Sequence, residues 1–309
     1  MFIYISALVL GILLPIGVQK IFIYYRRFDD INHRSSHNTL ATRTGGISVF
    51  LVLFGITVFQ YALGEEIYDF SLLIPFSIMF IVGVYDDLYN ADFKLKFLLQ
   101  IVVAKILIDQ GYVVTNYHGL FGLNEVSWIL AQLSTVFLFL VIVNAINFID
   151  GIDGLAITEV IKIILIIELF SENSTPLFSL GGVVILALIP LYYFNLRKRR
   201  KVFLGDAGSL FLGTLVLVYL LHILGPEYQL ISDYIVVNKT LFSVIVVLYP
   251  LIDLFRVFTL RIKDGKSPFK ADKRHLHHLI LKQTNNSIVS TLIIIMSEVL
   301  VFISLISLF

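Results

Sequence analysis

Runs of apolar residues separated by short polar connectors recur from one end of the chain to the other. They fall at about 2–24, 46–63, 70–85, 97–110, 128–147, 155–170, 177–194, 209–224, 240–260 and 288–308. Most approach the length needed to cross about 30 Å of hydrocarbon, and the third and sixth are short. The pattern predicts an all-α polytopic membrane protein of about ten transmembrane helices, a single integral membrane domain over residues 1–309. No internal repeat and no appended soluble domain stands out. The first run is long, lacks a basic leader and continues to Tyr25, so it reads as a span rather than a cleavable signal.

Composition agrees. Hydrophobic residues make up 58% of the 309 and charged ones only 15%, against about 25% charged in soluble domains. The absence of cysteine excludes disulfides and thiolate metal sites. The net charge of +1 becomes informative only when resolved by loop. Eighteen of the 23 Lys and Arg lie in the connectors 25–45, 86–96, 195–208 and 261–287. The alternate connectors carry none, yet hold Glu65, Glu66, Asp69, Glu125, Glu172, Glu227 and Asp233. By the positive-inside rule the basic set is cytoplasmic and, with ten spans, both termini are outside.

The groups capable of chemistry fall on that basic side. Asn144, Asn147, Asp150 and Asp153 stand three residues apart in Asn144-Ala-Ile-Asn-Phe-Ile-Asp-Gly-Ile-Asp-Gly-Leu-Ala156, directly after an apolar run. Gly151 and Gly154 argue against a straight helix, so a helix is expected to end near Phe148 and pass into a tight loop that gathers oxygens. Carboxylate and amide oxygens suit Mg²⁺, a hard ion that takes few protein ligands beside phosphate and water. A helix cap plus turn would use the glycines but only one of the four side chains. Asp86 and Asp87 open the connector 86–96 as adjacent, mutually repelling carboxylates that would gain from a cation, and Lys94 and Lys96 follow. Asp206 lies between glycines in Phe203-Leu-Gly-Asp-Ala-Gly-Ser209, at an expected helix start where free N–H groups face outward. The run Arg197–Lys201 reads either as part of this region or as an anionic-lipid patch. The connector 261–287 carries His275, His277 and His278 among basic residues, which fits a polyanion contact; the H-E-x-x-H pattern of catalytic zinc is missing. Within the spans, Glu159 and Lys162 have i, i+3 pairing distance. Lys105 and Glu298 fit either a functional interior or helix packing.

In this order the motifs resemble the polyprenyl-phosphate sugar-1-phosphate transferases, the glycosyltransferase family 4 enzymes that start lipid-linked O-antigen, enterobacterial common antigen and teichoic acid linkage units. Residues 144–156 match that family's N-x-x-N-F-x-D-G-x-D-G-L-A, residues 83–87 its G-x-x-D-D, and residues 203–209 its F-x-G-D-x-G-S. Residues 272–278 match the D-K-x-H-L-H-H of this branch better than the form of the peptidoglycan branch, and Pro250, Asp253 and Arg256 also fall where this branch has them. The first connector keeps Asp29, Arg34, His37, Arg43, Gly45 and Gly46 of the family pattern. It departs at Ile31, Ser35, Leu40 and Thr42, and Leu279 replaces an Arg common after the histidines.

The resemblance implies a bacterial inner-membrane enzyme with a cytoplasmic active site. It implies attack of an undecaprenyl phosphate oxygen on the β-phosphorus of a UDP-sugar, a UDP-N-acetylhexosamine such as UDP-GlcNAc, giving the lipid diphosphosugar and UMP. Such a transfer needs charge neutralisation and alignment more than covalent chemistry. On this analogy Asp206 and Asn147 hold Mg²⁺, with Mn²⁺ as an alternative. Asp86 and Asp87 accept or orient the lipid phosphate proton, and Asp150 and Asp153 complete the site. Lys96, His277 and His278 hold phosphate or sugar oxygens, and Phe203 stacks on uracil. Asn144, Lys94, His275, His37 and Arg43 join the substrate-binding set by their place in the motifs. The partners implied are the two substrates and the bilayer, with no nucleic acid; a homodimer is compatible. Two rivals remain: the phospho-N-acetylmuramoyl-pentapeptide transferase, and a secondary transporter. A transporter would place its charged groups near the midplane, not at span ends.

Overall fold

A computed structural model describes residues 1–29, 40–231, 238–268 and 273–307. Its described residues are dominated by twelve α-helices: α1 Phe2–Tyr24, α2 Gly45–Leu63, α3 Leu73–Tyr89, α4 Phe93–Asp109, α5 Trp128–Ile149, α6 Leu155–Leu169, α7 Phe178–Leu196, α8 Gly205–Leu224, α9 Lys239–Val246, α10 Leu248–Lys263, α11 Leu276–Thr284 and α12 Ser287–Ser307. Each of the ten expected intervals is helical, but the count of ten spans is not met by all of them. Seven are long and apolar enough to cross a membrane, and α9 with α10 makes an eighth if taken as one broken span. The helices α4 and α6, of 17 and 15 residues, fall short of that length, which α3 reaches only together with the 3-10 turn Phe70–Leu72 before it.

Three boundaries differ from expectation in ways that matter for the site. The run at 240–260 is not one helix: the chain bends by 72° between α9 and α10. Pro250 supplies the reason. It has no N–H to return to the Val246 carbonyl, and its ring crowds that carbonyl, so the helix restarts at Leu248. The helix α3 continues to Tyr89, which puts Asp86 and Asp87 in its last turn rather than in a connector. The helix α8 begins at Gly205, so Asp206 lies inside its first turn.

The helix α8 is the axis of the molecule. It is apolar all round, as a helix enclosed by others must be, and is buried along nearly its whole length. It packs against α3, α5 and α2, with α6 and α9 closing the remaining sides. Its first turn is gripped especially closely. A Cβ on Gly46 of α2 would lie 2.0 Å from Gly208 N, and one on Gly83 of α3 would lie 2.3 Å from the Asp206 carbonyl. Only glycine permits backbones to approach so near, and the result is that α3 and α8 present their carboxylates side by side. A two-residue parallel ladder, β1 (Ala41–Thr42) with β2 (Lys201–Val202), ties the first connector to the one before α8. It is fastened to α1 by Gln19, whose amide nitrogen donates to Thr42 Oγ1 and to the carbonyls of Arg200 and Lys201.

Candidate active site

The site starts from the exposed N–H groups at the beginning of α8. Gly205 takes a left-handed conformation, φ +73°, and a Cβ there would lie 2.7 Å from Asp87 Oδ2. The turn allows Asp206 N and Ala207 N to donate to the two oxygens of Asp87 at 3.0 and 2.9 Å. Asp87, with a side chain only 2% exposed, thus caps α8 from a neighbouring helix and is further paired with Arg43 at 3.4 Å. Asp86 stays beside Asp206 but also turns to the connector that follows α3. It accepts from Ala91 N at 2.7 Å and from Lys96 Nζ at 2.6 Å. Lys96 also approaches Asp206 Oδ2 at 3.6 Å. Asn147, near the end of α5, donates through Nδ2 to Asp206 Oδ1 at 2.6 Å and to Ser209 Oγ at 2.8 Å. Asp150, the first residue beyond α5, completes the group by accepting from the Gly205 backbone.

This places Asp86, Asp87, Asp150 and Asp206 around two cations, Lys96 and Arg43, and Arg43 also serves Asp29 at 2.7 Å. Negative charge is in excess. Its effect is visible on Asp150, whose carboxyl is raised well above the usual carboxylate range by burial first and then by the fields of Asp206 and Asp87. Conversely, burial opposes the charge on Arg43, but Asp29, Asp87 and Asp206 outweigh it and hold its guanidinium above the ordinary value. Oxygen donors with an unmet positive charge are what a divalent hard cation requires. Since Asn147 Nδ2 is committed, its amide oxygen is what it has to offer such an ion.

The histidine helix meets this cluster through the glycine loop. A Cβ on Gly151 would lie 2.3 Å from His277 Nε2, so this position admits only glycine while the ring stays in place. His277 is fully buried and its Nε2 has no hydrogen-bond partner. Burial, then the neighbouring His278 and His275, lower its affinity for a proton well below the ordinary histidine value, so the ring is neutral. His275 has both nitrogens engaged: Nδ1 donates to Asp253 Oδ2 at 2.8 Å, and Nε2 lies 3.3 Å from Arg261 Nη2. Asp253 also caps α11, accepting from Leu276 N at 2.7 Å. Asp253, His275 and His277 bring possible metal-ligand atoms within 4.8 Å of one another. The Asp253–His275 hydrogen bond already engages two of these atoms, and the guanidinium beside His275 puts a positive charge where a cation would have to sit, which argues against a metal site here. His278 is half-buried and packs against His277 with centroids 4.3 Å apart.

The remaining expected residues stand apart from this cluster. Asn144 gives its Nδ2 to Gln100 Oε1 at 2.8 Å and to the Leu140 carbonyl at 2.7 Å, one turn deeper between α4 and α5. The Asp153 carboxylate turns to Lys201 in an ion pair, and its carbonyl accepts from Thr291 at 3.3 Å. Lys94 is exposed, and its backbone N–H is capped by Asp92 at 3.1 Å. Phe203 is half-buried, and its backbone extends the ladder: its N–H meets the Thr42 carbonyl at 2.9 Å and its carbonyl accepts from Gly45 N at 2.8 Å. His37 lies outside the described residues, as do Ile31 and Ser35. Lys201, Tyr249 and Arg261 were not singled out by spacing. Asn195, which bridges Gly154 N at 2.7 Å and the Val202 carbonyl at 3.0 Å, was not either. Each meets its partner only through the way the chain packs, so its role is not marked by motif spacing.

Comparison with known proteins gives a consistent set of likenesses. The sequence model of a family described as glycosyl transferase family 4 matches residues 70–224. The chain is 30% identical over 288 residues to a probable undecaprenyl-phosphate N-acetylglucosaminyl 1-phosphate transferase of Bacillus subtilis, covering 90% of this chain and 75% of that one. It is 28% identical over 277 residues to the undecaprenyl-phosphate alpha-N-acetylglucosaminyl 1-phosphate transferase of Salmonella typhi, covering 85% and 71%. It is 28% identical over 267 residues to the protein of the same name in Escherichia coli K12, covering 82% and 69%.

Proposed function

The chain belongs to glycosyl transferase family 4, and on that premise we propose that it transfers N-acetylhexosamine 1-phosphate, most simply GlcNAc 1-phosphate, from a UDP-sugar to undecaprenyl phosphate with release of UMP. The observation that carries this reading is the meeting of Asp86, Asp87, Asp150 and Asp206 with Lys96 and Arg43 at the start of α8. A diphosphate and a divalent ion are the ligands such an arrangement can bind. The printed names of the relatives supply the acceptor and the sugar phosphate. The nucleotide half of the donor and the cytoplasmic placement rest on the motif resemblance and on the basic connectors.

Asp206 and the Asn147 amide oxygen, with Asp150 beside them, would hold Mg²⁺ or Mn²⁺. Bound there, the ion would neutralise charge on the donor diphosphate, which is the main requirement of phosphoryl transfer. Lys96, held by Asp86 and within 3.6 Å of Asp206, is placed to meet a phosphate oxygen without leaving its partners. Asp87 acts on the geometry: with both oxygens on the backbone of α8, it fixes where Asp206 stands. A phosphate monoester with a second pKa near 6 is largely ionised at neutral pH, so the attacking oxygen needs no dedicated base.

The bond that breaks tests the reading. With the β-phosphate of the UDP-sugar labelled, label should pass into the lipid fraction, UMP should be the nucleotide product, and added UMP should reverse the reaction. UDP release with the label retained on the nucleotide would mean attack at the sugar carbon and would overturn it. Orientation is tested separately, because the chain has no cysteine of its own. Ser267→Cys should be shielded from an impermeant thiol reagent in intact cells and Ser174→Cys labelled; the opposite pattern inverts the topology.

A further inference from the structure

Three charged residues within the helices take no part in the site just described. Lys162 on α6 donates to Glu159 Oε2 at 2.6 Å on its own helix and to Glu298 Oε2 at 2.7 Å on α12. The other two oxygens, Glu159 Oε1 and Glu298 Oε1, are buried without a hydrogen-bond partner, and Glu159 is 0% exposed. The two carboxyl groups are brought together by the one ammonium they share, and each lies within electrostatic reach of the other. At about 1.5 Å per residue, Glu159 and Lys162 sit roughly 6 and 10 Å down α6 from Leu155, inside the apolar layer.

As two carboxylates these groups cannot satisfy one another, since each is an acceptor only. With one ammonium between them they would also leave a net negative charge in a medium that penalises it by several kcal/mol. A single proton removes both difficulties. It makes one carboxyl a donor to the other and brings the triad to neutrality. The other titratable groups facing it are Tyr192 on α7 and Tyr249 on α10, both within electrostatic reach of Glu159. Neither tyrosine brings a positive charge to replace the proton.

We propose that Glu159 and Glu298 form a binding site for one shared proton, and that this proton fastens α12 to α6 within the membrane. The consequence reaches the loop that follows α5 and carries Asp150, because Thr291 on α12 donates to the Asp153 carbonyl in that loop at 3.3 Å. The sign of the linkage follows. The native state binds a proton that the separated helices do not hold at neutral pH, so stability falls as pH rises through the release of that proton.

The test is infrared difference spectroscopy of the purified full chain, reading the carbonyl stretch of a protonated carboxyl after the contribution of the raised Asp150 carboxyl, assigned with Asp150→Asn, has been subtracted. Glu159→Gln and Glu298→Gln keep the triad neutral and near-isosteric. If the proton is shared, each alone abolishes the whole band, because the remaining carboxylate pairs with Lys162. Lys162→Met should about double the band, since both acids then protonate. On raising pH, wild-type band and melting temperature should fall together, while Glu298→Gln keeps its melting temperature; this last comparison needs no third variant to fold. Absence of the band in wild type overturns the proposal, as does its survival in either Gln variant, which would make it an ordinary single buried acid. Loss of the band on replacing choline by Na⁺ at fixed pH overturns it too, identifying a metal cation as the ligand.

Discussion

Replacing Gly83 with alanine separates the placement of the site from the stability of the fold. Gly83 precedes Asp86 and Asp87 by three and four residues on α3, so all three share the face turned to α8. A Cβ at Gly83 would lie 2.3 Å from the Asp206 carbonyl and 2.5 Å from Ala207 N and Cα, all backbone atoms of the first turn of α8. No side chain can swing away; the turn must retreat by about 1 Å to reach an ordinary contact near 3.4 Å. Two terms then oppose each other in the stability. Overpacking costs about 1–3 kcal/mol, and alanine returns up to about 1 kcal/mol of helix propensity because Gly83 has ordinary helical geometry. The net loss should fall between about 0 and 3 kcal/mol, and the protein should purify folded. Turnover has no such offset. The struck atom belongs to Asp206 itself, and a displacement of about 1 Å at a reacting centre costs roughly 10² in rate. The assay is UMP release from UDP-GlcNAc with a short-chain polyprenyl phosphate, alongside a thermal melt. Gly55→Ala is the control, with nothing within 4 Å of its added Cβ, and should match wild type in both. A folded Gly83→Ala protein with turnover within a few-fold of wild type would refute the argument that backbone contact sets the position of Asp206.

Asp206→Asn should keep its melting temperature within a few degrees and lose at least about 10²–10³ in turnover at saturating Mg²⁺; near-normal activity at low Mg²⁺ would remove Asp206 from the metal site. Because the Asp150 carboxyl is raised, it takes up a proton as pH falls through its elevated value, so Mg²⁺ affinity should weaken on acidification from neutral pH and recover on raising it. Calorimetric titration with Mg²⁺ across pH should show this slope and Asp150→Asn should flatten it; a flat wild-type profile would contradict the role. Asp253→Ala should lower stability by about 1–3 kcal/mol, since it leaves His275 Nδ1 and Leu276 N buried without their acceptor. Asp253→Asn, which keeps an oxygen for Leu276 N, should be milder in the same melt.

The hydrophobic pattern alone determined that this is a helical membrane protein, and where its helices lie. Apolar length is a local property, and every one of the ten expected intervals is helical. The carboxylate-bearing stretches were legible for the same reason: Asp86–Asp87, Asp150 and Asp206 sit at helix ends beside glycines that need special geometry. The break between α9 and α10 was not expected, because the apolar run across Pro250 reads as one continuous span. What the sequence did not assign was the work of each group, because that depends on which residues from different helices meet. Asp86 and Asp87 are neighbours in sequence, yet one faces Lys96 and the other caps α8, a division made by the rotation of α3 against α8. Asn144 and Asn147 share a motif and a helix, but three residues of rotation send the first to Gln100 and the second to Asp206. The three histidines differ only in how α11 docks on Asp253 and Gly151. Spacing along a chain fixes the face a side chain shares; only the packing of a second helix against that face decides what it touches.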